Sequence, residues 1–321
     1  MADNAIRLEF NEKERFRILC VSDIHGGVGY DEENTVAYLS TLLDKTQPDL
    51  VLMLGDIAGP GVIHIENAEQ LAVMLKGLTA PMVKRRIPFA HVFGNHDDNY
   101  GLPNREAEKV YESMPFCVSR SVAGTAGASD YMLPIYDGDK IAFAVYGLDS
   151  HRGMDGFRED YDVESGVEIT FRETSGFDVG ERGTDSSQVR WYCETSEKLE
   201  KEQGGKVPAL MVMHVPVQEL CWAAMNPEQC KVEGIMGEPV SGQMINSGLF
   251  RACMERGDVK AMCFGHDHEN TITAEFGGIL MAYDGYVSCH ACHLKPQLGG
   301  RVFDVYRQAP GQVHTAFVNV E

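Results

Sequence analysis

Five apolar segments of this chain each run into a residue type that binds metal ions. Residues 18–22 lead to Asp23-Ile24-His25, 50–54 to Gly55-Asp56, 89–93 to Gly94-Asn95-His96-Asp97, 209–213 to His214, and 259–264 to Gly265-His266-Asp267-His268. Imidazole and carboxylate donors together suit zinc, manganese, iron or cobalt, whereas an all-oxygen set would suit magnesium or calcium. Two such ions about 3.5–4 Å apart need a ligand that touches both, and a carboxylate has two oxygens to offer. A water shared by two cations loses a proton near neutral pH and becomes a nucleophile, while the ions neutralise phosphoryl oxygens. Hydrolysis of a phosphate ester is the chemistry this residue set points to.

No single piece carries that reading. Asp-x-His and Gly-Asp are ordinary turns after a strand, and a lone His214 would be a satisfied core histidine. Gly-Asn-His-Asp and Gly-His-x-His are more specific. All five together, each after an apolar run, single out a metal centre. The glycines before Asp56, Asn95 and His266 are expected to let the backbone turn tightly so that each ligand points inward.

The elements that must position these residues follow from periodicity. Residues 17–22, 50–54 and 89–93 are near-continuous apolar runs of strand length, which marks strands buried on both faces of a parallel sheet. Helical spacing recurs over 33–45 and 65–78, so the first hundred residues read βαβα, the order of an α/β layered domain. Shorter strands are expected over 116–122, 131–136 and 141–148, with a turn at Asp137-Gly138. Residues 150–187, rich in Gly, Asp, Glu and Arg, read as a long surface excursion. A helix over 187–203, a strand over 209–213, a helix over 247–256, a strand over 259–264 and short strands from 271 to 320 complete the chain. With no repeat or linker in the 321 residues, one domain over 1–321 is expected.

In open α/β sheets, ligands bind beyond the carboxyl ends of strands. The strand-end pattern therefore gathers two Asp, one Asn and four or five His into one crevice.

Composition narrows the partners. The chain has 28 Lys and Arg against 48 Asp and Glu, a formal charge of −20. That balance argues against a nucleic-acid groove, which needs clustered cations, but an acidic protein can hold one small phosphate where metal ions reverse the local field. No apolar run approaches the roughly 18 residues of a membrane span. The first ten residues do not read as a secretory signal, so a cytoplasmic setting is expected, with the nine cysteines mostly small buried hydrophobes. The sequence leaves the oligomeric state open.

The ordered set Asp23-x-His25, Gly55-Asp56, Gly94-Asn95-His96-Asp97, His214 and Gly265-His266-x-His268 resembles the calcineurin-like metallophosphoesterase superfamily over about residues 16 to 306. The resemblance implies a four-layer αββα sandwich, two mixed sheets packed face to face with helices outside. It implies one metal held by Asp23, His25, Asp56 and His268 and another by Asp56, Asn95, His214 and His266, with Asp56 bridging and manganese, iron or zinc as the ions. His96 matches the family's non-ligand histidine, which contacts the phosphate and protonates the leaving alkoxide; Asp97 would orient it by accepting its second ring N–H. The implied reaction is hydrolysis of small phosphomonoesters by a hydroxide bridging the metals. Alternatives are a phosphodiesterase acting on a cyclic nucleotide or other small diester, and a non-catalytic protein-binding scaffold.

Leu148-Asp149-Ser150, Ser187-Gln188 with Trp191, His214-x-Pro216 with Glu219, and Gly265-His266-Asp267-His268-x-Asn270 are similar to the purple-acid-phosphatase-like enzymes of the plant type 29 and yeast Dcr2 kind. True purple acid phosphatases carry a tyrosine ligand three residues after the bridging aspartate, where this chain has Gly59, so the resemblance implies a site without tyrosinate.

Other residues have two readings. Cys289-His290-Ala291-Cys292-His293 contains the c-type haem attachment pattern, but haem attachment needs export, and a loop at the active-site rim is preferred over haem, zinc or redox roles. His64 and His91 read as structural. His151, after the 141–148 strand, is a candidate substrate contact, and Trp191 and Trp222 are either an aromatic wall or core.

Overall fold

The computed structural model describes residues 6–27, 30–59, 65–97, 102–151, 183–288 and 295–321. Twelve strands lie among them: β1 Leu8–Glu9, β2 Arg15–Val21, β3 Leu50–Leu54, β4 Phe89–Val92, β5 Tyr131–Asp137, β6 Lys140–Gly147, β7 Ala209–Val212, β8 Val259–Phe264, β9 Thr273–Phe276, β10 Ile279–Tyr283, β11 Gly299–Tyr306 and β12 Val313–Asn319. The α-helices are α1 Glu32–Thr46, α2 Ala68–Arg85, α3 Asn104–Ser113, α4 Ser186–Gln203, α5 Gln218–Met225 and α6 Leu249–Arg256.

The strands form two mixed sheets. One has the order β12-β11-β2-β3-β4, the other β1-β5-β6-β7-β8-β10-β9. In the first, β2, β3 and β4 are parallel and β11 returns antiparallel beside β2. In the second, β6, β7, β8 and β10 are parallel. Side-chain alternation on these strands sets the layers. Ile18, Cys20, Leu50, Leu52 and Leu54 face inward against Phe143, Val145, Leu210, Val212 and Cys263 of the other sheet. Leu19, Val21, Val51 and Met53 face outward against Leu39, Leu42 and Leu43 of α1 and Leu71, Met74, Leu75 and Leu78 of α2. On the far side Tyr146, Met211, Met262 and Met281 pack against Tyr192 of α4, Leu220 of α5 and Phe250 of α6. Helix, sheet, sheet, helix: the expected αββα sandwich is what the chain forms. Both faces of β3 are covered, which is why its sequence is apolar throughout.

Helices α1, α2 and α4 start where a side chain caps free N–H groups. Asn67 accepts from Glu69 and Gln70 at the start of α2, and Asp185 with Gln188 makes a reciprocal capping box at α4.

Local structure departs from the sequence reading at four places. The expected strand over 116–122 is only a bridge between Phe89 and Cys117. There the Arg120 guanidinium takes the Cys117 and Ser119 carbonyls, which a further strand would otherwise have used. Helix α2 continues past residue 78, with Pro81 inside it; Leu78 and Met82 are both buried on the sheet and hold the last turns in place. Helices α3 and α5 were not foreseen. Of the excursion over 150–187, residues 152–182 lie outside the described residues, as do His64 and the Cys289–His293 motif. Among the described residues no helix is long and apolar enough to cross a membrane.

Candidate metal centre

The loops after β2, β3 and β4 of one sheet and after β7 and β8 of the other supply all the candidate ligands. Hydrogen bonding continues beyond the strands. Asp23 N–H donates to the Gly55 carbonyl at 3.1 Å and His25 N–H to the Asp56 carbonyl at 2.9 Å. Gly265 N–H donates to the His214 carbonyl at 3.1 Å. Within this frame Asp23, His25, Asp56 and His266 have φ of 54°, 49°, 49° and 79°. A left-handed conformation at a non-glycine residue costs about 1–3 kcal/mol and persists only where surrounding contacts over-determine it.

The glycines preceding ligands are there mainly for space. Gly55 does have a left-handed φ of 88°. Gly94 and Gly265 do not, contrary to expectation. A Cβ at Gly94 would lie 2.2 Å from Asp56 Oδ1, and one at Gly265 would lie 2.5 Å from Ser22 Oγ and 2.9 Å from Asp23 Oδ2. Gly94 thus leaves room for Asp56 from the adjacent strand, and Gly265 for Ser22 and Asp23 from the other sheet.

Two groups of ligand atoms result: Asp23, His25 and His268, and Asp23, Asp56 and His214. His268 Nε2 lies 3.0 Å from Asp23 Oδ1 and 3.3 Å from His25 Nε2. Asp56 Oδ2 lies 3.2 Å from His214 Nε2 and 3.9 Å from His25 Nε2, so one carboxylate faces both groups. Asp23 Oδ1 reaches both as well, at 3.9 Å from His214 Nε2. On the His214 side, His266 Nδ1 and Asn95 Oδ1 are 3.1 Å apart, and the His214 and His266 rings meet edge to face at 5.2 Å.

These atoms fit a pair of transition-metal ions. Donors about 2.0–2.2 Å from one ion stand roughly 3.0–3.5 Å from each other; the nearer pairs here are 3.0–3.3 Å apart and the wider ones 3.9 Å. His214 Nε2 is buried and makes no hydrogen bond, although Asp56 is close. The second nitrogen of two rings is already committed: His214 Nδ1 is 2.7 Å from the Leu54 carbonyl, and His25 Nδ1 is 3.2 Å from the Gly59 carbonyl. Each carbonyl accepts an Nδ1–H, which leaves Nε2 as the ligand lone pair.

Electrostatics give the same picture. Burial alone would push Asp23 and Asp56 up, but the histidines around them outweigh it and hold both carboxylates well below their usual range. Burial opposes the charging of His214 and His268, yet Asp56 and Asp23 lift them to about 10 and about 9. His266 is pushed down to about 4 by burial and by His214. Without cations the carboxylates favour the protonated form of His214 and His268, and a bound metal ion would take the place of those protons.

His96 stands beside the groups, its ring 5.7 Å from that of His25, and its backbone N–H donates to Asp56 Oδ1 at 2.9 Å. Burial pushes its pKa down. Asp97 was expected to accept the His96 ring N–H. In the structure its two oxygens accept the backbone N–H groups of Ala58, at 2.9 Å, and Gly94, at 2.7 Å. It therefore ties the loop carrying Asn95 and His96 to the loop carrying Asp56.

Asp284 escaped the sequence reading. It follows β10 as the ligands follow their strands, in Tyr283-Asp284-Gly285, and that repeated strand-end signal was available. Ser22 Oγ lies 2.5 Å from Asp23 Oδ2 and 2.8 Å from Asp284 Oδ1. Burial, then Asp23, pushes Asp284 far up, and the Ser22 hydroxyl stands as a donor between the two carboxyl groups. Trp191 belongs to the outer core, edge-on to Tyr146, and Trp222 lies half exposed on Phe276. His91 is wholly buried, with Nε2 2.8 Å from Glu108.

Residues 16–270 match the family described as calcineurin-like phosphoesterase. The chain belongs to that family. A relative in Arabidopsis thaliana named probable inactive purple acid phosphatase 14 is 28% identical over 320 residues, covering 88% of this chain and 73% of that protein. Probable inactive purple acid phosphatase 29 of the same plant is 26% identical, covering 89% and 75%. Phosphatase DCR2 of Saccharomyces cerevisiae is 29% identical over 170 residues, covering 46% of this chain and 29% of its own length. A dimetal phosphatase from Danio rerio shares the fold with a TM-score of 0.53 at 12% identity, covering 91% and 92% of the two chains. The calcineurin-like phosphoesterase fold and the two Asp/His groups together form a site consistent with a dinuclear metal-dependent phosphoesterase.

Proposed function

We propose that this calcineurin-like phosphoesterase hydrolyses small phosphomonoesters in the cytoplasm, as a single domain. The observation that carries the reading is Asp56 Oδ2 lying between His25 and His214. One cation would be held by Asp23, His25, Asp56 and His268, the other by Asp56, Asn95, His214 and His266, with manganese, iron or zinc as suitable ions. When bound, such a pair ionises a shared water near neutral pH and neutralises phosphoryl charge.

The chain's own residues complete the reaction. Asp56 orients His96 through its backbone N–H, and Asp97 fixes the same loop through Gly94, so the imidazole is held at the edge of the site. His96 donates a ring proton to the leaving alkoxide oxygen as the P–O bond breaks. Asp97 thus ties the loops after β3 and β4, and the His214–Leu54 bond joins the two sheets at the site.

The relatives' names include the words probable inactive, so a non-catalytic use of the fold is the competing reading; the complete ligand set with His96 supports catalysis. The experiment is a panel of p-nitrophenyl phosphate, bis-p-nitrophenyl phosphate and single-stranded DNA on metal-loaded protein. Turnover of the monoester is expected to exceed that of both other substrates, and the margin over DNA follows from a chain of charge −20 repelling polyanions. Comparable rates on DNA, or none on either ester, would refute it.

A further inference from the structure

The chain leaves β6 through Leu148-Asp149-Ser150-His151, and this turn is bonded on two sides to residues that adjoin proposed ligands. On one side Val215 N–H, next to His214, donates to Ser150 Oγ at 3.0 Å. On the other, Asp149 Oδ2 accepts the Ala128 N–H at 2.9 Å, and the neighbouring Ser129 Oγ accepts the N–H of Phe93, two residues before Asn95, at 2.9 Å. Asp149 Oδ1 accepts the N–H of His151 at 2.8 Å, and Asp130 Oδ1 holds the Asp149 N–H at 2.8 Å. These bonds tie the turn that carries His151 to the chain beside His214 and, through Ala128 and Ser129, to the chain before Asn95.

Its conformation resembles that of the ligands. His151 has φ 59°, left-handed like Asp23, His25, Asp56 and His266, and like them it follows the carboxyl end of a strand. Both its ring nitrogens are buried and, among the described residues, neither has a hydrogen-bond partner. A backbone strained in this way, with a polar ring taken out of water and left unpaired, costs free energy twice over. An arriving acceptor oxygen would remove the second cost.

We propose that His151 is a second substrate-contacting histidine, donating a ring N–H to a phosphoryl oxygen on the Asn95–His214 side. This rests on the phosphoesterase reading. The test is steady-state hydrolysis of p-nitrophenyl phosphate, with inhibition by inorganic phosphate and metal analysis, for wild type, His151→Asn and His151→Gln. Asparagine tolerates the left-handed backbone but falls short of the ring's reach. In His151→Asn, KM and the inhibition constant for phosphate should rise together by about tenfold or more, with both metals retained. His151→Gln, which sets an amide N–H near the place of Nε2, should recover part of the loss. Constants within about twofold of wild type in both variants, or loss of a metal, would overturn the proposal. A wild type inactive on every ester would refute the phosphoesterase reading instead. Calorimetric binding of inorganic phosphate to the metal-loaded protein would then decide His151 separately: affinity weakened about tenfold in His151→Asn supports the contact, and unchanged affinity overturns it.

Discussion

His214 Nδ1 lies 2.7 Å from the carbonyl oxygen of Leu54, so a ligand from the loop after β7 is hydrogen-bonded to the last residue of β3 in the other sheet. The bond sets the imidazole tautomer and couples the two layers at the site. In metal-free protein, His214→Ala should lower unfolding free energy by about 1–3 kcal/mol, because a buried carbonyl loses its donor. Denaturant titration in the presence of chelator measures this, and an unshifted midpoint would count against the interlayer role.

His96 sits beside the ligand groups without belonging to either. Its replacement by alanine should reduce turnover about 10²–10⁴-fold while metal content stays at the wild-type level. Undiminished turnover would remove its acid role.

Gly59 bears on colour. It has φ 122°, and its carbonyl faces His25 Nδ1 at 3.2 Å. The position three after Asp56 is therefore glycine by conformation and already serves the His25 ligand. Iron-loaded protein should lack a tyrosinate charge-transfer band in the visible, and Gly59→Tyr should lower stability without creating it. A strong visible band in the wild-type iron form would show that another tyrosine is a ligand.

Away from the centre, burial would push His91 down, but Glu108 lifts it to about 10 against an ordinary 6.5. The folded state thus binds this proton more tightly than the unfolded one. The pair's contribution is complete below pH 6.5 and is lost as pH rises toward 10. Removing one partner costs about 3–5 kcal/mol. Unfolding titrations should show the gap between wild type and Glu108→Gln narrowing from pH 6 to pH 9.5 (roughly the window of the shift); a constant gap would mean the pair is not charged.

The candidate ligands were legible because each follows a largely buried apolar run, and such runs leave a signature that needs no partner to be recognised. β3 was read to the residue for that reason. What the sequence hid depends on contacts made from afar. Helix α3 buries only Ala107, Glu108 and Tyr111, too sparse a stripe to stand out. The irregular path after Cys117 is decided by Arg120 reaching back to two carbonyls. Gly94 and Gly265 read as turns, but their need is room for Asp56 and for Ser22 with Asp23, which no local pattern displays. Asp97 looked like a dyad partner; its neighbours Ala58 and Gly94 in space, not His96 in sequence, took its oxygens.

The most direct test of the shared carboxylate is metal analysis of Asp56→Asn beside wild type, both purified without chelator. Two ions per wild-type chain are expected, with the variant losing most of its metal and its activity together. Retention of both ions by Asp56→Asn, with activity intact, would contradict the bridging role on which the dinuclear account stands.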